Sequence, residues 1–271
     1  MAYIKRKRKV SVIMGIYNCA DTLSEAIDSL LVQSFADWEL IMCDDGSTDD
    51  TVVVAQSYEE RYENILLIQN SRNIGLPATL NRCIECAESE YIARMDGDDI
   101  SMPNRLEKEV IFLDEHPEYA LVSCEMIHFD ENGEWGISRY DEKPEKRDFL
   151  KKSPFCHAGC IMRAAALNSV GNYTVSEELR RGQDYWLWHK FYCAGYKGYN
   201  LQEPLYKMRD GQEALKRRTF RSSIYSMKTQ WRIFSNLGLP WLCRFKALRG
   251  PVVAMLPKFL YVFLHKMKQK A

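Results

Sequence analysis

The sequence predicts an α/β fold with a mostly parallel sheet in its front half, a mixed back half and a basic helical tail. Between residues 10 and 130, short apolar runs alternate with segments of helical periodicity, which is the pattern of βαβ units. From residue 214 to the end, the chain holds thirteen Lys and Arg residues and no Asp or Glu. We therefore divide the chain into an extension at 1–9, a domain at 10–211 and a tail at 212–271.

The charge of the chain is unevenly distributed although its formal sum is zero. The 271 residues are 46% hydrophobic and 27% charged, which is a globular composition. The total of zero argues against nucleic acid or an anionic membrane as partner. However, residues 1–9 hold five basic residues and no acid, and 10–213 hold 19 basic against 37 acidic residues. Each basic end can therefore bind an anionic surface that the acidic centre would repel.

The front half contains five predicted strands and four predicted helices. The apolar runs predict strands at 10–14, 38–43, 65–68, 91–95 and 120–129. The segments between them predict helices at 21–34, 49–61, 76–88 and 104–115.

The back half has a different pattern, which predicts antiparallel strands. Glu-Asn-Gly at 131–133 is typical of a turn between two such strands. The later segments predict a strand near 160–162 and helices at 145–152, 164–169 and 184–193.

The tail interleaves aromatic and aliphatic residues with Lys and Arg. Its longest nearly uncharged run, 250–264, is interrupted by Lys258 and two prolines, and spanning a bilayer takes about 20 apolar residues. We expect interfacial helices with lysines facing lipid phosphates. The residues expected to enter the lipid are Trp241, Phe245, Phe259, Tyr261 and Phe263. The alternative is an amphipathic hairpin from 237–271 that packs on the domain.

The cysteines favour a reducing compartment. Their number is nine, they lie in apolar runs, and the chain begins without the apolar core of a signal peptide. We expect free thiols. The Cys83/Cys86 pair and the Cys156-His157-Ala-Gly-Cys160 segment lack the further ligands of a zinc site, so core packing is favoured over a metal role.

Acidic residues follow two predicted strands and open one predicted helix. The first group is Asp44 to Asp49 and the second is Asp96 to Asp99, at the strand ends where α/β sheets bind ligands. Three carboxylates within four residues repel each other, and Mg²⁺ or Mn²⁺ would relieve this repulsion. An exposed acidic turn is the alternative. Asp184 opens the third segment, where an Asp is often only a helix cap.

Several phosphate-binding motifs are absent from the chain. It has no Walker-type loop and no glycine-rich dinucleotide fingerprint after the first predicted strand. A bound phosphate would therefore depend on a metal ion and on arginine.

Five segments together resemble a known family. They are VSVIMGIYN near the start, DDGSTDDT at 44–51, NSRNIGLPATLN at 70–81, EYIARMDGDD at 90–99 and QDYWLW at 183–188. In this order the chain resembles family 2 glycosyltransferases of the GT-A fold, in particular bacterial transferases of capsular and exopolysaccharide biosynthesis. The resemblance covers about 10–210 and implies a nucleotide-sugar half at 10–130 and an acceptor half at 131–211.

The resemblance implies roles for five residues. Asp45 matches the residue that binds the nucleobase, usually uracil, and Tyr17 matches the residue that covers the base. Asp96 would meet the ribose, and Asp98 would bind the divalent ion, Mn²⁺ or Mg²⁺. Asp184 matches the general base of the family.

Other positions are assigned less directly or depart from the family pattern. Arg94 or Arg72 is a candidate cation near the phosphates, with a surface or strand-edge arginine as the alternative. His157 and Gln183 are candidate acceptor residues, and Gln183 stands where the family has Glu. Gly15 replaces the usual Pro, Thr or Ser. The Gln-x-x-Arg-Trp motif of processive members is absent, which points to transfer of a single sugar.

The resemblance implies an inverting, metal-dependent transfer of one hexose or N-acetylhexosamine from a UDP-sugar. The acceptor would be a lipid-linked saccharide, and the protein would lie on the cytoplasmic face of the membrane, held by 237–271. The alternative is a nonenzymatic protein that binds nucleic acid, another anion or a partner on the same scaffold. That alternative leaves the acidic groups unexplained, so no nucleic-acid partner is expected.

Overall fold

The computed structural model describes residues 7–179, 182–209 and 220–254. Most of the predicted 1–9 extension lies outside these ranges. The last residues of the tail also lie outside them, and with them the expected lipid contacts Phe259, Tyr261 and Phe263.

Four parallel strands form the front of one nine-stranded sheet. Strand β1 (Val10–Ile16) lies between β2 (Trp38–Asp44) and β4 (Tyr91–Arg94), and β3 (Ile65–Gln69) lies beyond β2. β1, β2 and β4 are almost wholly buried because helices cover both faces of the sheet. These strands confirm the predicted parallel front half.

The four predicted helices of the front half are present, with ends that differ from the predicted ones by at most three residues. They are α1 (Ala20–Leu31), α2 (Thr51–Glu59), α3 (Leu76–Cys86) and α4 (Arg105–Glu115). Alternate residues of β1 point to opposite faces of the sheet, so Val12 packs in the core with α1 and α4 while Ile13 packs with α3. Burying each such side chain contributes about 1.5–3 kcal/mol.

The back half adds antiparallel pairs to the same sheet. β8 (Cys160–Arg163) lies between β4 and β6 (Leu121–Asp130) and is antiparallel to both. β6 forms the predicted hairpin with β7 (Gly133–Ser138), and Gly133 has a φ of 111° at the turn. The predicted helix at 145–152 is a 3₁₀ helix at Lys146–Leu150. The other two predicted helices are α5 (Ala164–Ser169) and α6 (Gln183–Cys193).

Two strands were not predicted. β9 (Gly198–Arg209) runs parallel to β6, and β5 (Ile100–Ser101) pairs with the far side of β9 in the antiparallel sense. Pro204 lies inside β9 opposite Glu125, where the register between the strands shifts. A proline inside an apolar run argues against a strand unless a bulge is present, and the bulge is not visible in the sequence.

The described part of the tail is helical and packs partly on the domain. It contains α7 (Phe220–Asn236), a 3₁₀ helix at Trp241–Leu248 and α8 (Arg249–Ala254). The buried side chains that join it to the core around α6 are Ile233, Phe234, Leu237, Leu239 and Ala247. No helix within the described ranges is long and apolar enough to cross a membrane.

The nine cysteines form no disulfide, as expected. Sγ of Cys156 lies 3.5 Å from Sδ of Met126, whereas Sγ of Cys160 donates to the carbonyl oxygen of His157 at 3.2 Å. These side chains point to separate partners, and core packing accounts for them. Within the described ranges, three or more possible metal ligands come together only at Asp96, Asp98 and Asp99.

Candidate functional site

Most of the predicted site residues lie where the parallel strands end. β1 and β2 end in register, so Tyr17 and Asp45 continue from neighbouring strand ends. β4 ends at Arg94, and Asp96 follows two residues later. Because ligands of open α/β sheets bind beyond the carboxyl ends of the strands, this edge is the candidate site.

The loop before α3 holds Asp45 in place. Oδ1 of Asp45 accepts hydrogen bonds from Nδ2 of Asn70 at 2.9 Å and from the backbone N–H of Ile74 at 2.8 Å. Oδ2 accepts one from the backbone N–H of Gly75 at 2.9 Å. A carboxylate offers about four acceptor positions, so Oδ2 keeps one for an N–H of a ligand. The side chain is otherwise buried.

The neighbouring Asp44 shapes the turn after β2. Its Oδ2 accepts the backbone N–H groups of Gly46 at 3.0 Å and Ser47 at 3.1 Å. Gly46 has a φ of +77°, and a Cβ at this position would lie 2.9 Å from the backbone of 72–73. Of the two adjacent carboxylates, Asp44 therefore serves the turn, and Gly46 allows the loop before α3 to approach Asp45.

Tyr17 lies beside this turn with 49% of its surface exposed. Oδ1 of the next residue, Asn18, accepts the backbone N–H of Thr48 at 2.9 Å. The backbone N–H of Asn18 donates to Oγ of Ser47 at 3.0 Å. These bonds join the loops after β1 and β2, so Tyr17 and Asp45 belong to two connected loops at this edge of the sheet.

The acidic cluster after β4 consists of Asp96, Asp98 and Asp99. Each offers an oxygen within 4.8 Å of the others. Asp98 reaches solvent, yet crowding removes part of its hydration, and this desolvation together with Asp96 raises the pKa of Asp98. Burial, reinforced by Asp96 and Asp98, raises the pKa of Asp99 to about 8. These hard, crowded oxygen ligands fit Mg²⁺ or Mn²⁺, whose charge would stabilise the ionised carboxylates.

Arg94 forms an ion pair with Asp96 of the acidic cluster. The guanidinium is buried and binds the carboxylate through both terminal nitrogens, with Nη1 donating to Oδ2 at 2.5 Å. Burial opposes the charge, but Asp96 outweighs this effect, and the pKa of Arg94 is raised. This arrangement makes Arg94 a positioning residue for Asp96. The alternative arginine, Arg72, is exposed beside the Gly46 turn.

Two residues of β9 also contact the acidic cluster, and neither was predicted. The backbone N–H of Asp96 donates to the hydroxyl of Tyr206 at 3.1 Å. The backbone N–H of Arg209 donates to Oδ1 of Asp99 at 2.8 Å, and Nε of Arg209 donates to the carbonyl oxygen of Asp98 at 3.0 Å. β9 therefore fixes the backbone of the cluster and brings a further cation to it.

Asp184 lies in the first turn of α6, directly after Gln183. Its Oδ2 accepts a hydrogen bond from Oγ of Ser153 at 3.1 Å. Asp184 is only partly buried. Ser153 was not predicted because nothing in the sequence relates it to a residue 31 positions later.

The half-buried His157 and the buried Tyr173 form a hydrogen-bonded pair. Nε2 of His157 lies 2.8 Å from the hydroxyl of Tyr173. Burial, aided by the charge on Arg94, holds the pKa of His157 well below its usual range, so the imidazole is neutral. Burial raises the pKa of Tyr173, and the charges of Arg94, Asp184 and Asp96 all act on its hydroxyl. Tyr173 was missed because a lone tyrosine has no motif.

Comparison with known proteins identifies relatives over most of the chain. The family model for Glycosyl transferase family 2 matches residues 11–171. EpsE of Bacillus subtilis (strain 168) is 47% identical over 233 residues, which cover 86% of this chain and 84% of EpsE. The UDP-Gal:alpha-D-GlcNAc-diphosphoundecaprenol beta-1,3-galactosyltransferase of Escherichia coli is 32% identical over 235 residues, covering 83% of each chain.

Solved structures share the fold at lower identity. TarS 1-349 of S. aureus in complex with UDP-GlcNAc superposes with a TM-score of 0.69 at 22% identity, covering 91% of this chain and 72% of that one. A longer TarS chain is covered over 43% of its length. The mannosyltransferase PcManGT of Pyrobaculum calidifontis, in complex with GDP-Man and Mn²⁺, gives a TM-score of 0.63 at 16% identity, covering 99% of this chain and 82% of that one.

Proposed function

Since the chain belongs to glycosyl transferase family 2, we propose that it transfers one sugar, with inversion, from a UDP-sugar to a lipid-linked saccharide. The observation that carries the proposal is the placement of Asp45 and the acidic cluster at one sheet edge. Asp184 opens α6, and its charge acts on Tyr173, as do the charges of Arg94 and Asp96. The proposal thus assigns Asp45 to the nucleobase, the acidic cluster with its metal ion to the diphosphate, and Asp184 to the acceptor hydroxyl.

The donor and acceptor classes rest on the names of relatives. The Escherichia coli relative is named for a UDP-Gal donor and a GlcNAc-diphosphoundecaprenol acceptor. A further relative, from Erwinia amylovora, is 29% identical and named for amylovoran biosynthesis. We extend these classes to the present chain as a UDP-hexose or UDP-N-acetylhexosamine donor and a saccharide on a polyprenyl diphosphate. The product would be part of a cell-surface polysaccharide.

In the proposed reaction, Asp184 acts as the general base. Its carboxylate takes the proton of an acceptor hydroxyl as that oxygen attacks the anomeric carbon of the donor sugar. The bond from the anomeric carbon to the diphosphate oxygen breaks on the opposite face, and its electron pair leaves with UDP. Ser153 holds Oδ2 of Asp184, so Oδ1 is the oxygen proposed to take the proton.

The donor side of the site would be held by residues at the strand ends. Asp45 would accept the N–H of the uracil through Oδ2, and Tyr17 would cover the base. Asp96, oriented by Arg94, would accept a ribose hydroxyl. We propose that Asp98 and the acidic cluster hold Mn²⁺ or Mg²⁺, which would neutralise charge on the leaving diphosphate. His157 and Gln183 would line the acceptor side.

We also propose peripheral binding at the cytoplasmic face of a membrane. The described tail exposes an apolar surface, here called the tail surface, made by Trp231, Trp241, Leu242, Phe245 and Leu248. The Phe245 ring centroid lies 5.9 Å from that of Trp231 and 5.8 Å from that of Trp241, so the aromatic residues are continuous. Exposed Lys246 and Arg249 flank them, as binding to anionic lipid requires.

The catalytic proposal is tested with Asp184→Asn and Asp98→Asn. We expect Asp184→Asn to abolish UDP release from a UDP-sugar in the presence of GlcNAc-diphospholipid, because the base is lost. Thermal protection by UDP with Mn²⁺ should persist in this variant, since the donor groups are intact. Asp98→Asn should lose the part of the protection that depends on Mn²⁺.

Glu60→Gln, at an exposed position at the end of α2, is the matched control and should behave like the unmodified chain. The donors tested are UDP-glucose, UDP-galactose and UDP-GlcNAc. Full turnover by Asp184→Asn would exclude it as the base. Salt-sensitive binding of nucleic acid, with no turnover on any donor and no protection by UDP, would favour the nonenzymatic alternative instead.

A further inference from the structure

Helix α7 belongs to the basic tail by sequence but to the domain by packing. Ile233 and Phe234 are buried in the cluster that also contains Trp188 and Phe191 of α6. At the carboxyl end of the helix, Nδ2 of Asn236 lies 3.1 Å from Nε2 of His189. The tail is therefore attached to the helix that carries Asp184.

The polar contact between Asn236 and His189 has a defined direction. Nδ1 of His189 lies 3.2 Å from the carbonyl oxygen of Trp186, which can only accept, so Nδ1 carries the proton. Nε2 then accepts the hydrogen bond from the Asn236 amide. Burial lowers the pKa of His189, which keeps this neutral form. The contact therefore persists at neutral pH.

A second set of α7 contacts involves residues that precede Asp184 in the sequence, namely Glu178 and the neighbourhood of Gly182. Nη1 of Arg232 donates to Oε2 of Glu178 at 2.9 Å, and Nζ of Lys228 lies 4.0 Å from the same carboxylate. Cγ2 of the buried Thr229 lies 3.9 Å from the position that a Cβ of Gly182 would occupy. One face of α7 thus contacts Glu178 and lies close to Gly182, two residues before Asp184.

We propose that α7 positions Asp184 for proton transfer by holding the start of α6. This role is separate from any role of the tail at a membrane. The inference rests on the proposed function, because it takes Asp184 as the base. Asp184 is fixed by Ser153 at its side chain and by the start of α6 at its backbone. The α7 contacts hold the start of α6. The residues proposed to bind the donor lie at the strand ends, and none of these α7 contacts involves them.

The test is Arg232→Glu in the full chain, which places a second carboxylate against Glu178. We expect kcat with UDP-sugar and GlcNAc-diphospholipid to fall roughly tenfold, because small displacements of a catalytic group are costly. KM for the donor and thermal protection by UDP should change less than about twofold, since the donor site is untouched. Glu178→Arg combined with Arg232→Glu restores opposite charges and should recover most of the lost kcat.

The matched control is Lys108→Glu, which breaks an exposed ion pair between α4 and Glu203. It should leave kcat unchanged. If Arg232→Glu keeps full kcat while Asp184→Asn is inactive, positioning of Asp184 by α7 is excluded and the assignment of Asp184 as the base stands. If Asp184→Asn is itself active, the proposed function fails first. A kcat loss that the charge exchange does not recover would also contradict the inference.

Discussion

At the scale of single residues, neighbours with the same chemistry have different tasks. Asp44 turns the chain after β2, whereas Asp45 is fixed with one acceptor position unused. Asp96 has a buried arginine as partner, while Asp98 is the most exposed member of the acidic cluster. The sequence indicates that these positions carry carboxylates at strand ends, but the division of tasks depends on hydrogen bonds from distant loops.

Gly46→Ala should destabilise the turn that leads to Asp45. The residue has a φ of +77°, and the new Cβ would press on the backbone at 72–73, so the loop before α3 must move. We expect a loss of about 2 kcal/mol in the free energy of unfolding, measured by urea denaturation. Thermal protection by UDP should also weaken.

Gly238→Ala separates the backbone strain of a positive φ from the close approach of the new Cβ. Gly238 has a φ of +71°, and a Cβ at this position would meet no other atom within 4 Å, so only the backbone strain remains. A loss as large as that of Gly46→Ala, or unchanged UDP protection in Gly46→Ala, would contradict the role of the close approach.

At the scale of elements, the front half was predicted well because its signals are local. Short apolar runs and helical patterns between 10 and 130 identify most of the elements there, and the strand ends then locate Asp45 and the acidic cluster. β9 was missed because Pro204 breaks its pattern and a register shift accommodates the proline. Tyr206 and Arg209 were missed along with it. Pairings between distant residues, such as Ser153 with Asp184, have no local signal.

Helix α3 connects the donor side of the site to the His157–Tyr173 pair. Asn81 accepts the backbone N–H of Tyr173 at 3.0 Å and donates to its carbonyl oxygen at 2.9 Å. We expect Asn81→Ala to lower the free energy of unfolding by roughly 1–3 kcal/mol, because both backbone groups lose their partner. Urea denaturation measures this change.

Arg82→Ala, one residue further on α3, is not a suitable comparison. The Arg82 side chain contacts Asn70, which in turn holds Asp45. The exposed Glu85→Ala is the better control and should be neutral. An Asn81→Ala variant as stable as Glu85→Ala would show that solvent replaces the two bonds.

At the scale of the whole molecule, the zero net charge separates into an acidic domain and two basic ends, the 1–9 extension and the tail. The inner side of the tail packs on α6, and its outer side carries the tail surface with Lys246 and Arg249. The inner side agrees with the packing alternative for the tail, whereas membrane binding by the outer side stays a prediction. Packing accounts for Ile233 and Phe234, and binding to a membrane is proposed for Trp241 and its neighbours.

Replacing Trp241 and Phe245 together by Ser should reduce cosedimentation with vesicles containing phosphatidylglycerol. The two rings supply apolar area to the lipid, and the cations supply the preference for anionic lipid, so vesicles of phosphatidylcholine alone should bind little. Trp135→Ser removes a similarly exposed tryptophan from β7 and is the matched control. Equal sedimentation of the double variant and the control would refute the proposed surface.

The late position of β9 in the sequence has a consequence for synthesis of the chain on the ribosome. Among the described residues, β5 pairs with β9 alone, so residues 100–101 gain this strand partner about a hundred residues after they are made. Until then, one side of β6 is an unpaired strand edge, which favours aggregation. The family match ends at 171, and a fragment that stops there would keep this edge permanently. The boundary for expressing an independent domain therefore lies beyond Arg209.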